Sequence, residues 1–131
     1  MTVAEINELG YKVRGAIYNV YKELGMGLLE SVYQEAMAIE LGQNGIKVER
    51  EVFVPVYYKG IKLQSSFRID LLVENTIIVE VKSVSDLSES HYKQLINYLK
   101  LTGKPLGYLV NFNASNILKS IHRVVNNLDE N

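Results

Sequence analysis

The chain has 131 residues, 47% of them hydrophobic and 22% charged, which fits one ordinary globular domain and excludes a disordered tail, a collagen-like repeat or a disulfide miniprotein. It contains no cysteine, so disulfides, thiolate nucleophiles and zinc ribbons are out, and a reducing, cytoplasmic setting is the expectation. The formal net charge of −1 provides no global positive field for a polyanion.

The first residues, Met1 to Glu8, carry two acids before any apolar run, so no export signal is expected. Charges also interrupt every run well short of the roughly 20 apolar residues a membrane-spanning helix needs, and no membrane partner is expected. Charge is uneven along the chain: residues 1–58 hold five Lys/Arg against eight Asp/Glu, whereas residues 59–104 hold seven against five.

Ile6, Leu9, Val13, Ile17, Val20 and Leu24 recur at helical spacing and predict a helix ending at Gly25. Gly25-Met26-Gly27 breaks it. A second helix follows, with Leu29, Val32, Ala36 and Ile39 expected on its buried stripe, before Gly42 and Gly45 end it. From Ile46 the period drops toward two. Val52, Val54 and Val56 alternate with Phe53, Pro55 and Tyr57, a strand in which Pro55 suggests an edge or a bulge. Lys59-Gly60 turns the chain into a second strand, Ile61 to Val73, and Glu74-Asn75 leads into a third, Thr76 to Lys82. Ser85 to Thr102 returns to helical spacing with Ser88 as N-cap, and Gly103-Lys104-Pro105 stops it. A strand from Leu106 to Phe112 and a short helix from about Ser115 to Asn126 complete the order ααβββαβα. A helix between the third and fourth strands makes their parallel pairing the default.

Asp70 and Glu80 interrupt runs that otherwise read as strands buried on both faces. They are solvated charges if one face is wet. If helices cover both faces, the two acids lie close together, and like charges there need a proton or a cation to coexist. An all-oxygen set favours Mg²⁺ or Mn²⁺ over Zn²⁺. Glu30 is either a favourable charge at a helix start or a further ligand. Gln94, next to Leu95, reads equally well as a plain polar position, and His91 and His122 read as isolated histidines. The nine tyrosines read first as packing residues, with stacking on single-stranded bases as the alternative.

Hairpin register makes the acid pair testable. A two-residue loop, Glu74-Asn75, would set Asp70 and Glu80 on opposite faces. A three-residue loop, Glu74-Asn75-Thr76, would oppose Val73 to Ile77 and Asp70 to Glu80, so the three-residue loop is expected.

Asp70, followed after nine residues by Glu80-Val81-Lys82, resembles the D…ExK signature of the PD-(D/E)XK nuclease superfamily. Gly27-Leu28-Leu29-Glu30-Ser31-Val32-Tyr33 resembles the motif that names the bacterial GxxExxY family. The likeness continues through Phe67 to Val73, His91…Gln94-Leu95…Tyr98-Leu99 and Asn111-Phe112-Asn113. Met26 and Ile69 depart from it, standing where prolines are common in similar sequences.

The resemblance implies a restriction-endonuclease-like three-layer α/β/α core with a mixed sheet, one such domain over residues 1–131. It implies a catalytic set of Glu30, Asp70, Glu80, Lys82 and Gln94, with Mg²⁺ or Mn²⁺ on Asp70, Glu80, Glu30 and the Val81 carbonyl. The activity implied is hydrolysis of phosphodiester bonds in DNA or RNA. The alternative, suggested by the near-neutral charge, is a non-catalytic nucleic-acid-binding or adaptor module on the same scaffold, and a third reading has the acids bind metal for stability alone. A homodimer is an expectation by analogy only.

Overall fold

The computed structural model describes residues 1–128. Helix α1, Val3–Leu24, starts with a reciprocal cap in which the Thr2 hydroxyl accepts from the Glu5 N–H at 3.1 Å and the Glu5 carboxylate accepts from the Thr2 N–H at 2.9 Å, satisfying two of the helix's free donors. Its buried stripe runs through Ile6, Leu9, Val13, Ile17 and Val20, as the spacing predicts. Helix α2, Glu30–Gln43, buries a different stripe from the one expected. Tyr33, Met37 and Leu41 face inward, whereas Leu29, Val32 and Ile39 are exposed. Both sets fit a helical period, and the larger side chains at i, i+4 and i+8 occupy the core.

The chain then makes β1 Val48–Tyr58, β2 Ile61–Val73, β3 Ile77–Lys82, α3 Glu89–Thr102 and β4 Leu106–Asn111. Where a closing helix was expected, Ile117–Ser120 forms one 3₁₀ turn and Ile121–Val125 a fifth strand, β5. Ile121-His122-Arg123-Val124-Val125 is rich in β-branched residues, and β5 covers the free edge of β4 by antiparallel pairing.

The sheet order is β1-β2-β3-β4-β5, antiparallel except for the parallel β3–β4 pair joined through α3. β1 is an edge strand, and its register shifts between Pro55 and Tyr57, so Pro55 marks both the edge and the irregularity that it predicts.

One face of the sheet packs Leu71, Val79, Val81, Tyr108 and Val110 against α1 and α2. The other packs Ile69, Leu72, Ile78 and Leu109 against Leu95, Tyr98 and Leu99 of α3. Each aliphatic side chain buried in this way contributes on the order of 1.5–3 kcal/mol. β3 is thus sealed on both faces, which explains its continuous apolar run. Among the described residues, no helix is long and apolar enough to cross a membrane.

Candidate functional site

β2 and β3 are joined by Glu74-Asn75-Thr76: Val73 opposes Ile77, Leu72 opposes Ile78 and Leu71 opposes Val79. Glu74 and Asn75 adopt positive φ of 48° and 52°, and the Thr76 N–H closes the turn on the Val73 carbonyl at 2.9 Å. This is the expected three-residue loop. The next pair in this register is Asp70 and Glu80.

At that pair the ordinary ladder stops and side chains take over from backbone. The Asp70 N–H donates to Glu80 Oε2 at 2.9 Å, and the Val81 N–H donates to Asp70 Oδ2 at 2.8 Å. The pleat of β2 also breaks here. Ile69 packs with Leu72 on the α3 face, whereas Leu71 lies on the opposite face, so the period of two that a regular strand keeps is interrupted at Asp70. Across the β1–β2 pair, Glu51 lies opposite Asp70 between two regular pairings and adopts a φ of 52°, a conformation that reorients the chain.

Burial is the largest influence on both acids. It raises the Asp70 carboxyl, against pulls downward from the Val81 N–H and the Lys82 charge. Burial, followed by the Asp70 charge, pushes Glu80 from 4.5 up to about 8. Glu80 retains only 2% of its surface, while Asp70 is half-buried. Two such carboxylates hold a proton between them near neutrality unless a cation replaces it.

Lys82 follows Glu80 by two residues, and its Nζ lies 3.4 Å from Gln94 Oε1 on α3. Tyr98, one turn further along α3, has its phenol raised by burial and then by the charges of Glu80 and Asp70. Its ring stacks on Phe67 at 4.3 Å. In the sequence Tyr98-Leu99 reads as core spacing, and the proximity of Tyr98 to the acids depends on tertiary packing.

Glu30 comes from the opposite layer, since α2 packs on the α1 side of the sheet. It opens its helix just past the end of β3, where its Oε2 accepts from the Ser83 N–H at 3.0 Å, and its charge raises both Asp70 and Glu80. Among the described residues, no three Asp, Glu or His side chains gather closely enough to hold an ion. The compact acidic unit is the Asp70–Glu80 pair, with Glu30 at its margin.

The loop before Glu30 is clamped by Tyr33. Its hydroxyl donates to the Gly25 carbonyl at 2.6 Å and accepts from the Leu28 N–H at 3.1 Å, and its ring stacks on Phe112 at 4.3 Å. Gly25 and Gly27 have φ of 72° and 92°, which glycine adopts without steric cost. The Leu28 carbonyl accepts from the Ser83 hydroxyl at 2.7 Å. The spacing Gly27, Glu30, Tyr33 therefore builds one local device that holds the end of β3. Asn111, only 5% exposed, fixes the chain beyond β3 by accepting from the Val84 N–H and donating to the Val84 carbonyl. His91 accepts from the Ser88 N–H at the start of α3, and His122 packs edge-on against Tyr92. Both histidines have these local contacts instead of joining the acids.

A sequence model of the PD-(D/E)XK nuclease superfamily matches residues 7–124. The search of curated proteins returns no match. Among solved structures, the crystal structure of SSO0001 superposes with a TM-score of 0.53 at 24% identity, over 76% of this chain. The chain spans about half of that protein, 51%, and at this identity the likeness concerns the fold: three helices about a five-stranded mixed sheet in a restriction-endonuclease-like α/β arrangement. With the match covering nearly all of its length and the acid pair poised at the parting of β2 and β3, this chain belongs to the PD-(D/E)XK nuclease superfamily.

Proposed function

We propose that the protein is a cytoplasmic, divalent-metal-dependent nuclease of the GxxExxY type, hydrolysing phosphodiester bonds in nucleic acid at a site made by Glu30, Asp70, Glu80, Lys82 and Gln94. The observation that carries this reading is the Asp70–Glu80 pair, locked by reciprocal bonds to backbone N–H groups and raised by burial and mutual repulsion. Such a pair is costly for stability alone, and its chemistry suits a hard cation.

The donor set fits Mg²⁺ or Mn²⁺. Asp70 and Glu80 each commit one oxygen to an N–H and have a second to offer, and Mg²⁺ commonly uses one or two carboxylates while keeping several waters. Asp70, Glu80 and the Val81 carbonyl would hold the ion. That carbonyl points the same way as the Val81 N–H, toward Asp70, because the two groups of one strand residue share a side. Glu30, at the margin of the pair, would reach the shell through water. When bound, the ion supplies Lewis-acid stabilisation of phosphoryl charge and a water of lowered pKa.

Lys82 provides a fixed positive charge for the reacting phosphate, and Gln94 holds its ammonium against α3. The buried pair holds a proton near neutrality, a charge that a bound cation would replace. Half-buried Asp70 is the accessible member of the pair, so substrate approaches from its side. The formal charge of −1 favours the second reading, a binding or adaptor module, in which nucleic acid is held without turnover.

Purified protein incubated with Mg²⁺ or Mn²⁺ and a panel of DNA and RNA forms tests the reading, with Glu80→Ala and Lys82→Ala alongside. Metal-dependent cleavage lost in both variants supports it. Binding without cleavage supports the adaptor, and cleavage undiminished in the variants indicates a contaminant.

A further inference from the structure

Between Glu51 and Asp70 the chain carries Lys59, Lys62 and Arg68 and no acidic residue, in a protein whose overall charge is −1. This stretch is the β1–β2 hairpin. Its base is covered by α3 through Val52, Val54 and Phe67, but Ile61 to Ser66 are exposed on both faces, so the hairpin extends past the helices as an arm.

Register sorts its side chains. Phe53 opposes Arg68, Pro55 opposes Ser66 and, beyond the shift, Tyr57 opposes Lys62. Opposed residues project from the same face, so two rings, a proline and two cations share the face turned away from α3. Phe53 and Tyr57 are 69% and 61% exposed, a degree of exposure unusual for large rings that have no partner to meet. Arg68 makes a 3.9 Å ion pair with Glu51, both side chains about half exposed. A pair so solvated contributes little and yields readily to a phosphate. The face also runs up to the site, since Arg68 stands two residues before Asp70 on β2.

Resting on the nuclease reading, we propose that this face of the β1–β2 arm binds single-stranded nucleic acid and leads it to Asp70. Bases stack on Phe53 and Tyr57, while Lys62 and Arg68 meet the backbone. Exposed rings recognise bases whose faces are free, which a duplex does not offer, and the two cations complement a polyanion. With two cations on the face, they account for a salt slope of about −1.4 for a single strand.

The test is fluorescence anisotropy with labelled oligothymidylate and a duplex of equal length, in chelator so that nothing is cut, as a function of salt. Wild type should bind the single strand more tightly. Phe53→Ser/Tyr57→Ser should weaken that binding about tenfold or more, and Lys62→Gln should reduce the salt slope by about 0.7. Thermal melts should match wild type, because all three side chains are exposed. If wild type binds single strands and the variants bind equally well, the arm is not the surface, while Glu80-dependent cleavage leaves the nuclease reading intact. A wild-type dimer that Tyr57→Ser dissociates in sedimentation would assign the face to a second copy and overturn the proposal. Wild type that neither binds nor cleaves any nucleic acid removes both readings.

Discussion

Asp70 and Glu80 each accept a hydrogen bond from the backbone of the other's strand, from Val81 N–H at 2.8 Å and from Asp70 N–H at 2.9 Å. The two carboxylates thereby replace the ladder that β2 and β3 give up, and the separation of the strands is held open by the groups that need the space. Removing either side chain leaves a backbone N–H without its partner.

The first prediction concerns pH in the absence of metal. Glu80 titrates near 4.5 when unfolded and near 8 in the fold. Between those values the native state binds a proton that the unfolded state lacks, so stability falls as pH rises from about 4.5 to about 8 and levels off beyond. Melting temperatures of wild type in chelator should decline across that window. Glu80→Gln, which keeps an acceptor for the Asp70 N–H, should flatten the decline, and Mg²⁺ should restore wild type at the alkaline end. A wild-type profile parallel to that of Glu80→Gln would place the proton elsewhere.

Lys82→Met should reduce cleavage about 10²- to 10³-fold, the usual cost of deleting one group that stabilises transition-state charge. Gln94→Leu leaves the lysine in place without its 3.4 Å acceptor and should cost less, about 10- to 100-fold. Single-turnover rates at saturating metal give the comparison, and equal losses would argue that Gln94 touches substrate itself.

Tyr33→Phe keeps the stack on Phe112 but removes both hydrogen bonds of the hydroxyl. A destabilisation of about 1–3 kcal/mol is expected from the stranded Leu28 N–H and Gly25 carbonyl, readable by urea unfolding. Cleavage should fall with it, because Leu28 holds Ser83 and Ser83 bonds Glu30. An unchanged midpoint would show that the loop is held by its glycines alone.

Gly107→Ala tests how α3 is seated. A Cβ there would lie 2.8 Å from Leu95 Cδ1 and 3.3 Å from the Ile78 carbonyl oxygen, and such overpacking costs about 1–3 kcal/mol. Leu95→Val should recover part of the loss in the double variant, since the two changes share one contact. Strict additivity would mean that strain falls on Ile78 instead.

Much of this was legible in the chain itself. The three-residue loop follows from the need to bring Asp70 and Glu80 onto one face, and Pro55 announces an edge because it lacks an N–H. Where two solutions share one period, the sequence is ambiguous. α2 could bury Leu29, Val32 and Ile39 or Tyr33, Met37 and Leu41, and only the size of the space beneath it decides. Ile121 to Val125 reads as the end of a helix until the open edge of β4 is known. Tyr98 joins the acids, and the pleat breaks at Asp70, through packing between elements far apart in sequence, which no local pattern records.

Pro55 carries a consequence for solubility. An uncapped outer strand bearing Phe53, Tyr57 and Tyr58 in the open would be a template for open-ended cross-β stacking, because its unsatisfied N–H and C=O groups invite further strands. A missing donor at Pro55 and the register shift beside it interrupt that row midway, so a neighbouring strand cannot pair continuously along it. Replacing Pro55 with Val would repair the row while leaving the sticky rings in place, converting a tolerated surface into a seed for fibres.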